Sequence, residues 1–268
     1  MGIVNVTPDS FSDGGRYAEP RSAIAHGLGL ATDGAALLDV GGESTRPGAA
    51  SVDEAEELRR TEPVVRELAA RAGVPVSIDT TKAAVAAVAL EAGAVMVNDV
   101  TGGTGDPALL RVVADADAML VVMHMRGTPR TMADEARYDD VVREVGDELR
   151  ARVDAAVAAG VRPDAILADP GIGFAKGAAH NVALLAALPE LSERVEVPLL
   201  VGASRKSFLG RLLGDAPVDA REEATLATTV WSFMRGAAVV RVHDVAASSR
   251  AAALLDALER ATQEGMAA

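Results

Sequence analysis

Carboxylate, amide and ammonium groups recur in this sequence at places where short apolar runs end. Asp79, Asn98 and Asp169 each stand at the end of such a run. Their oxygens suit a flat heterocycle with adjacent N–H groups, because paired hydrogen bonds at fixed positions give specificity. Lys206 could donate the complementary hydrogen bond to a carbonyl or nitrogen of the same ring. These residues therefore predict a site for a hydrogen-bonding heterocycle.

A second set of side chains is cationic. Arg241 and His243 alternate in a predicted strand, so that both side chains would face one way. Arg46 stands in the segment GGESTRPG. Because the whole chain has a formal net charge of −13, cations gathered at one place predict an anionic ligand. Hydroxyl donors accompany these cations at Ser44, Thr45 and Ser207.

The opening stretch, MGIVNVTPDSFSDGG, is typical of a strand that runs into a polar loop and two glycines. Pro8 stops the strand, because proline offers no amide hydrogen to a sheet. Asn5 is the one polar side chain within that strand. Together with nearby carboxylates it could hold Mg²⁺, which needs few protein oxygens and takes its other ligands from water and phosphate.

The elements that must position these residues follow a regular alternation of apolar runs and Ala-rich helical segments. The predicted strands are residues 2–6, 37–40, 76–79, 95–99, 119–124, 166–169, 199–201 and 239–243. The predicted helices are residues 21–33, 53–72, 81–92, 107–114, 139–159, 179–188, 222–235 and 245–262. Continuous apolar strands indicate parallel pairing with both faces buried.

Eight strand–helix repeats are the number that closes a (β/α)₈ TIM barrel, and we predict this α/β fold as a single domain of residues 1–268. Functional residues of such barrels gather at the carboxyl ends of the strands, and phosphate often binds beside the last two. An open, doubly wound sheet is the alternative. It usually needs fewer strands and a phosphate fingerprint after the first one, which this sequence lacks.

Composition narrows the class of protein. Of the 268 residues, 49% are apolar but only 3% are aromatic, so a large core must be filled by aliphatic side chains. The net charge of −13 argues against nucleic acid and anionic membranes as partners. Zero cysteines exclude disulfides and thiolate catalysis. With no leader and no uncharged apolar run of about 18 residues, we expect a soluble, cytoplasmic protein.

Two catalytic motifs are nearly matched but incomplete. Lys176, in the segment GFAKG, lacks the G-x-x-x-x-G-K-[ST] spacing of a phosphate-binding loop. The segment GASRK misses the last glycine of the G-x-S-x-G nucleophile elbow. The four histidines show no H-E-x-x-H spacing, so hydrolase and zinc-protease functions are disfavoured.

Eight motifs together resemble those of the dihydropteroate synthases, the pterin-binding barrel family that sulfonamides inhibit. They are GIVNVTPDSFSDGG, DVGGESTRPGA, SIDT, VNDVTGG, MHMRGTP, DPGIGF, VGASRKSFLG and RVHDV, and they cover essentially the whole chain. The resemblance implies that 4-aminobenzoate is joined to 6-hydroxymethyl-7,8-dihydropterin pyrophosphate, giving 7,8-dihydropteroate and pyrophosphate. It also implies a homodimer.

The resemblance assigns a role to each matching position. The pterin ring falls to Asp79, Asn98, Asp169 and Lys206, with Met123 and Phe174 packed near it. Mg²⁺ falls to Asn5, and the pyrophosphate to Arg241 and His243. Phe11 and Asp13 match a first mobile loop, and Thr45, Arg46 and Pro47 a second. Ser207 and Pro47 would flank the aminobenzoate, and the residues implied in catalysis are Lys206, Asp79, Asp13 and Arg46.

The implied chemistry is a dissociative, SN1-like displacement. An arylamine is a weak nucleophile, so the enzyme must mainly help the pyrophosphate to leave, and a metal with cations stabilises the charge that develops on it. Family members usually carry residues before the first strand, whereas here it begins at Met1, so we expect this extension to be short or missing.

Two alternatives stay open. One is a barrel that transfers a methyl group from methyltetrahydrofolate to a corrinoid protein, which would need no cations for pyrophosphate. The other is a catalytically silent paralogue that binds pterin without turnover.

Overall fold

The computed structural model describes residues 1–6, 18–46 and 48–266. Its centre is one parallel sheet of eight strands, paired in chain order. The strands are β1 (Gly2–Asn5), β2 (Leu38–Gly41), β3 (Val76–Asp79), β4 (Met96–Asp99), β5 (Met119–Met123), β6 (Ile166–Asp169), β7 (Leu199–Val201) and β8 (Ala237–Val240). The parallel α/β prediction is confirmed, and sequential strand order is not that of a doubly wound sheet.

The last strand approaches the first. Gly2 and Val242 form an isolated parallel bridge. The amide of Ile3 donates to the carbonyl of Val242 over 3.1 Å, and the amide of Val242 donates to the carbonyl of Met1 over 3.0 Å. The two edges of the sheet therefore meet through backbone hydrogen bonds.

Helices connect the strands. Those of the described chain are α1 (Ala18–Thr32), α2 (Glu54–Arg71), α3 (Ala83–Glu91), α4 (Ala108–Asp115), α5 (Val141–Ala158), α6 (Ala178–Ala186), α7 (Leu188–Val195), α8 (Ser207–Leu212), α9 (Glu222–Met234) and α10 (Val245–Met266). None of them is both long and apolar enough to cross a bilayer.

Two helices of the described chain were not predicted, and five predicted strands extend beyond the observed ones by one to three residues at one end. The helix predicted over residues 179–188 ends at Ala186, and α7 follows at once because Pro189 fits only a first helical turn. The short α8 was also missed. The strand predicted over residues 239–243 ends at Val240, because β7 itself ends at Val201 and Val242 pairs with Gly2 instead.

Each face of the sheet has its own apolar layer. Alternate strand residues pack outward against the helices, as Val97 and Ile78 do. The inward residues Met96, Val121 and Leu167 meet Met1 and Leu200 in a second cluster. The sheet therefore curls around an aliphatic centre, which confirms the prediction of a core with few aromatic residues.

Polar residues begin where this inner cluster stops. Asp79 pairs in register with Asn98, two residues further along their strands than the pair Ser77 and Met96. Side chains two residues apart share a face, so Asp79 and Asn98 lie directly above the apolar centre, at the carboxyl ends of their strands. The fold thus presents fixed polar groups on an apolar floor.

Candidate active site

Three of the predicted acceptors stand on strand ends and are almost fully buried. Asp79, Asn98 and Asp169 expose 9%, 4% and 5% of their surface. Asp169 Oδ1 accepts from the amide of Gly171 over 2.7 Å, which orients the carboxylate. Burial raises the pKa of Asp169, although Lys206 opposes the shift. Such carboxylates accept N–H donors in a site that water hardly enters.

Lys206 lies beside Asp169, as predicted. A methyl group placed on Gly202 would lie 3.9 Å from Asp169 Oδ2 and 4.0 Å from Lys206 Nζ, so both groups border the same residue. Lys206 Nζ donates to the carbonyl of Ile172 and lies 4.6 Å from the centre of the Phe174 ring. Burial lowers the pKa of Lys206 to about 8, although Asp169 opposes the shift.

An apolar wall adjoins these groups. Met123 and Phe174, both predicted to pack near the ligand, are buried in one cluster. The other members of this cluster are Val100, Met125, Met132 and Ala175. A planar ring that met the carboxylates at its edge could therefore rest its face on sulfur and aromatic surface. We call Asp79, Asn98, Asp169 and Lys206, with this wall, the heterocycle half of the site.

Arg241 does not stand free among the other cations. Its Nε donates to Asp39 Oδ2 over 2.6 Å and its Nη2 to Asp79 Oδ2 over 2.8 Å. Asp39 Oδ2 also accepts from Asn98 Nδ2 over 3.0 Å. Burial alone would lower the pKa of Arg241, but Asp39 and Asp79 outweigh it, so the pKa is raised. Arg241 thus joins the predicted anion site to the heterocycle half.

Asp39, which stands near the end of the second predicted strand, received no role from sequence reasoning. It is fully buried, and its Oδ1 has no hydrogen-bond partner among the described residues. The signal was present, because a carboxylate inside the otherwise apolar strand β2 is costly unless a cation pairs with it. What the sequence lacked was any sign that its partner would be Arg241.

The surroundings of His243 disfavour the cationic form that was predicted. Burial lowers its pKa to about 3, and the charges of Arg205, Arg241 and Arg46 act in the same direction. Ser204 Oγ accepts from the backbone amide of His243 over 3.3 Å and lies 2.9 Å from its Nδ1. In the tautomer with its proton on Nε2, the Nδ1 atom accepts from this hydroxyl.

The remaining predicted residues are on loops or at element ends. Arg46 is exposed, and it is near enough to lower the pKa of His243. Thr45 is half-buried, and Ser207 is exposed at the start of α8. We call Arg46, Arg241 and His243 the anion half. Phe11, Asp13 and Pro47 lie outside the residues that the structure describes.

Asn5 ends β1 and pairs in register with Gly41. Its side chain is half-buried, and no described residue hydrogen-bonds it. The described residues contain no group of three or more His, Asp or Glu side chains arranged for a metal. A single amide oxygen of this kind is compatible only with a cation that keeps most of its water or phosphate ligands.

Known proteins share this arrangement of sequence and fold. The profile of the family described as "Pterin binding enzyme" matches residues 1–243. The dihydropteroate synthase of Mycobacterium leprae is 55% identical over 254 residues, covering 92% of this chain and 89% of that protein.

Solved structures agree with that result. The Xanthomonas albilineans dihydropteroate synthase with 4-aminobenzoic acid superposes with a TM-score of 0.91 at 48% identity, covering 97% of this chain and 92% of that one. The same enzyme in complex with 7,8-dihydropteroate gives a TM-score of 0.88 at 46% identity, with the same coverage of 97% and 92%.

Proposed function

The chain belongs to the pterin binding enzymes and, within them, to the dihydropteroate synthases, and we propose that its heterocycle half binds the pterin ring while its anion half binds pyrophosphate. It is a transferase of folate synthesis. It joins 4-aminobenzoate to 6-hydroxymethyl-7,8-dihydropterin pyrophosphate and releases pyrophosphate and 7,8-dihydropteroate. The observation that carries the residue assignment is the placement of three buried acceptors and Lys206 over one apolar wall.

Recognition of the pterin would use its hydrogen-bonding edges. Asp79 and Asp169 accept from the ring's amino and N–H groups, and Asn98 can both donate and accept. Lys206 donates to a ring carbonyl or nitrogen. Since the three acceptors start from strand ends, the ring is held without much ordering of the protein on binding.

Chemistry at the exocyclic carbon follows from that rigid hold. The bond between this carbon and the pyrophosphate oxygen breaks first, and the electron-rich pterin shares the positive charge left behind. The amine nitrogen of 4-aminobenzoate then bonds to the carbon and loses a proton. Arg241 and the Nε2–H of His243 stabilise the charge that develops on the leaving group.

Mg²⁺ is part of the proposal. The amide oxygen of Asn5 would hold it, and the ion would neutralise charge on the pyrophosphate. The unpartnered Asp39 Oδ1 beside Arg241 adds negative charge to the same end of the sheet, which also favours a cation there.

The two loops would close over the reactants. Phe11 and Asp13 belong to the first and Arg46 to the second, and closure would exclude the water that could otherwise capture the carbon cation. Ser207 and Pro47 would flank the aminobenzoate. Asp13 would orient the incoming amine or the loops.

The proposal also covers closure of the sheet, location in the cell and oligomeric state. The sheet closes into a (β/α)₈ barrel, and the bridge between Gly2 and Val242 supports this. The protein acts in the cytoplasm as a homodimer, for which the exposed apolar side chains of Trp231, Met234 and Leu254 on α9 and α10 provide a surface. Light scattering of the purified protein tests the dimer.

The test of function is release of pyrophosphate by the purified protein with Mg²⁺, the dihydropterin pyrophosphate and 4-aminobenzoate, each omitted in turn. Release should require both substrates, and it should drop sharply in Lys206→Ala. Pterin binding without release would instead favour a silent paralogue. A corrinoid methyltransferase would have no use for the anion half, so loss of the exposed Arg46 in Arg46→Ala would leave its pterin-dependent activity intact.

A further inference from the structure

A buried lysine, Lys176, lies next to the apolar wall that contains Phe174, although the proposed chemistry makes no use of it. Lys176 exposes 9% of its surface and His124 none. Lys176 Nζ lies 2.9 Å from His124 Nδ1 and 2.9 Å from the carbonyl oxygen of Phe174. It therefore joins the segment after β6 to the segment after β5 from below.

The direction of these hydrogen bonds is fixed by the state of the imidazole. Burial lowers the pKa of His124 to about 4, although Glu148 opposes the shift, so the ring is neutral. A neutral imidazole has one N–H, and the Glu148 carboxylate accepts it at Nε2, so Nδ1 accepts from Lys176 Nζ. Burial lowers the pKa of Lys176 well below its usual range, and a neutral amine still donates this hydrogen bond. The Nε2–H of His124 then donates to Glu148 Oε2 over 3.0 Å. A chain of donors thus runs from the loop to helix α5.

The loop of residues 170–176 is strongly bent around this lysine. Gly171, Gly173 and Ala175 have φ angles of +66°, +86° and +50°. A methyl group on Gly171 would lie 1.9 Å from the carbonyl oxygen of His124, so the two backbones are in direct contact there. Such a conformation persists only when its surroundings hold it.

The same loop carries the parts that hold Lys206. The carbonyl of Ile172 accepts from Lys206 Nζ, and the Phe174 ring lies beneath that ammonium. Lys176 binds the carbonyl of Phe174 itself, and Asn181 Oδ1 accepts from the amide of Gly173 over 2.6 Å. Loss of the Lys176 contact would therefore free the segment on which Lys206 depends.

We propose that Lys176 is a positioning residue for the pterin ring, which acts by fixing Phe174 and the carbonyl of Ile172 so that Lys206 meets the ligand in one geometry. The inference rests on the proposed function, because it assigns Lys206 to the pterin. It concerns the heterocycle half alone, since no member of the anion half contacts the loop within the described residues.

Calorimetry on the full chain would separate the two halves. The ligands are 6-hydroxymethyl-7,8-dihydropterin and, separately, inorganic pyrophosphate with Mg²⁺. Lys176→Met keeps the aliphatic stem but leaves the carbonyl of Phe174 and Nδ1 of His124 without a donor. We expect pterin binding to weaken by about tenfold, as the loss of a buried hydrogen-bond donor implies, and pyrophosphate binding to stay unchanged.

Two further variants make the result decisive. Arg162→Met removes an exposed ion pair with Asp117 before the amino end of β6, and should leave both affinities unchanged. Lys206→Ala tests the assignment on which the inference rests. If Lys206→Ala weakens pterin binding and Lys176→Met does not, the positioning role is wrong but the proposed function stands.

Two other results would contradict the residue assignment or the inference. If Lys206→Ala leaves pterin binding unchanged, the residue assignment of the proposed function fails first. If Lys176→Met weakens pterin and pyrophosphate binding equally, the lysine supports the fold in general and the inference is overturned.

Discussion

The two halves of the site differ in what holds them. In the heterocycle half, Asp79, Asn98 and Asp169 belong to strands and are buried to at least nine-tenths. In the anion half, Arg46 is exposed on a loop, and Arg241 and His243 follow the end of β8. The acceptors of the heterocycle half thus stand on the sheet, and the cations of the anion half stand on the connections.

The difference suits the two ligand groups. A planar ring with donors and acceptors on its edges binds best to partners in fixed positions, because a misplaced acceptor leaves a buried N–H unpaired. Pyrophosphate is an elongated, multiply charged group that must arrive and leave. Cations on loops can adjust to its position, and neighbouring loops can close after it has bound. Arg241 is the exception, since buried carboxylates hold it in place.

Removing Arg241 should therefore have the largest effect on stability. In Arg241→Met, Asp39 and Asp79 lose their cation while remaining buried. Breaking a buried pair in this way costs about 3–5 kcal/mol. We expect the free energy of unfolding, from urea denaturation followed by circular dichroism, to fall by that order.

Arg205→Met is the matched control. Its ion pair with Glu222 spans 2.6 Å, but the two side chains are 41% and 37% exposed. Exposed pairs contribute about 0–1 kcal/mol. If the two variants lost equal free energies of unfolding, Arg241 would not be held in a buried ion pair and would not differ from the other cations of the anion half.

Lys206→Ala should have the next largest effect, on binding rather than on stability. A hydrogen bond to a charged group contributes about 1.5–3 kcal/mol, so pterin affinity should fall by about 10- to 100-fold. The fold should not suffer, because burial of the ammonium is unfavourable. Titration calorimetry and thermal denaturation of the same samples check both statements.

Ser207→Ala is the control for that result. The side chain follows Lys206 in the chain but is exposed, and we place it against the aminobenzoate. It should leave pterin affinity unchanged and raise only the KM for 4-aminobenzoate. If Ser207→Ala lost as much pterin affinity as Lys206→Ala, Ser207 would belong to the heterocycle half.

The fold was largely predictable because its signals are local. Strands β3, β6 and β7 have the predicted bounds, since each is an apolar run stopped by polar residues or glycine. The register shift between Leu199 and Leu200 was not predictable, because it depends on how β7 and β8 fit together. The same holds for α8, a short helix whose sequence carries no capping signal.

The site was predictable to the extent that strand ends mark it. Asp79, Asn98 and Asp169 were found because the sequence shows where each strand stops. The pair of Asp39 and Arg241 was not found, because 202 residues separate them and only the curvature of the sheet brings them together. The lowered pKa of His243 likewise depends on burial and on neighbouring cations, which no local pattern encodes.

The pH dependence should separate the halves further, since Lys206 titrates near neutrality. With its pKa lowered to about 8, the side chain loses its charge above that pH. We expect kcat/KM for the dihydropterin substrate to fall by up to about tenfold per pH unit above pH 8, and Lys206→Arg to move this fall upward. A profile that stays flat to pH 9.5 would contradict the assignment.

The free energy of unfolding should rise over the pH range in which kcat/KM falls. Between pH about 8 and about 10.5 the unfolded chain binds the proton of Lys206 and the folded chain does not. The free energy of unfolding therefore rises with pH across this window, as far as Lys206 is concerned. Subtracting the urea-denaturation curve of Lys206→Met from that of the wild type isolates this contribution.

The smallest effect should come from Arg46, the exposed member of the anion half. Arg46→Ala removes a charge without leaving a buried partner, so thermal stability should not change measurably. The KM for the dihydropterin pyrophosphate should rise several-fold, and its dependence on salt should weaken, because exposed charges act through a screened field. Affinity for 6-hydroxymethyl-7,8-dihydropterin, which lacks the pyrophosphate, should stay the same. A loss of affinity for that ligand would mean that the second loop contacts the ring, and the division between the heterocycle half and the anion half would be wrong.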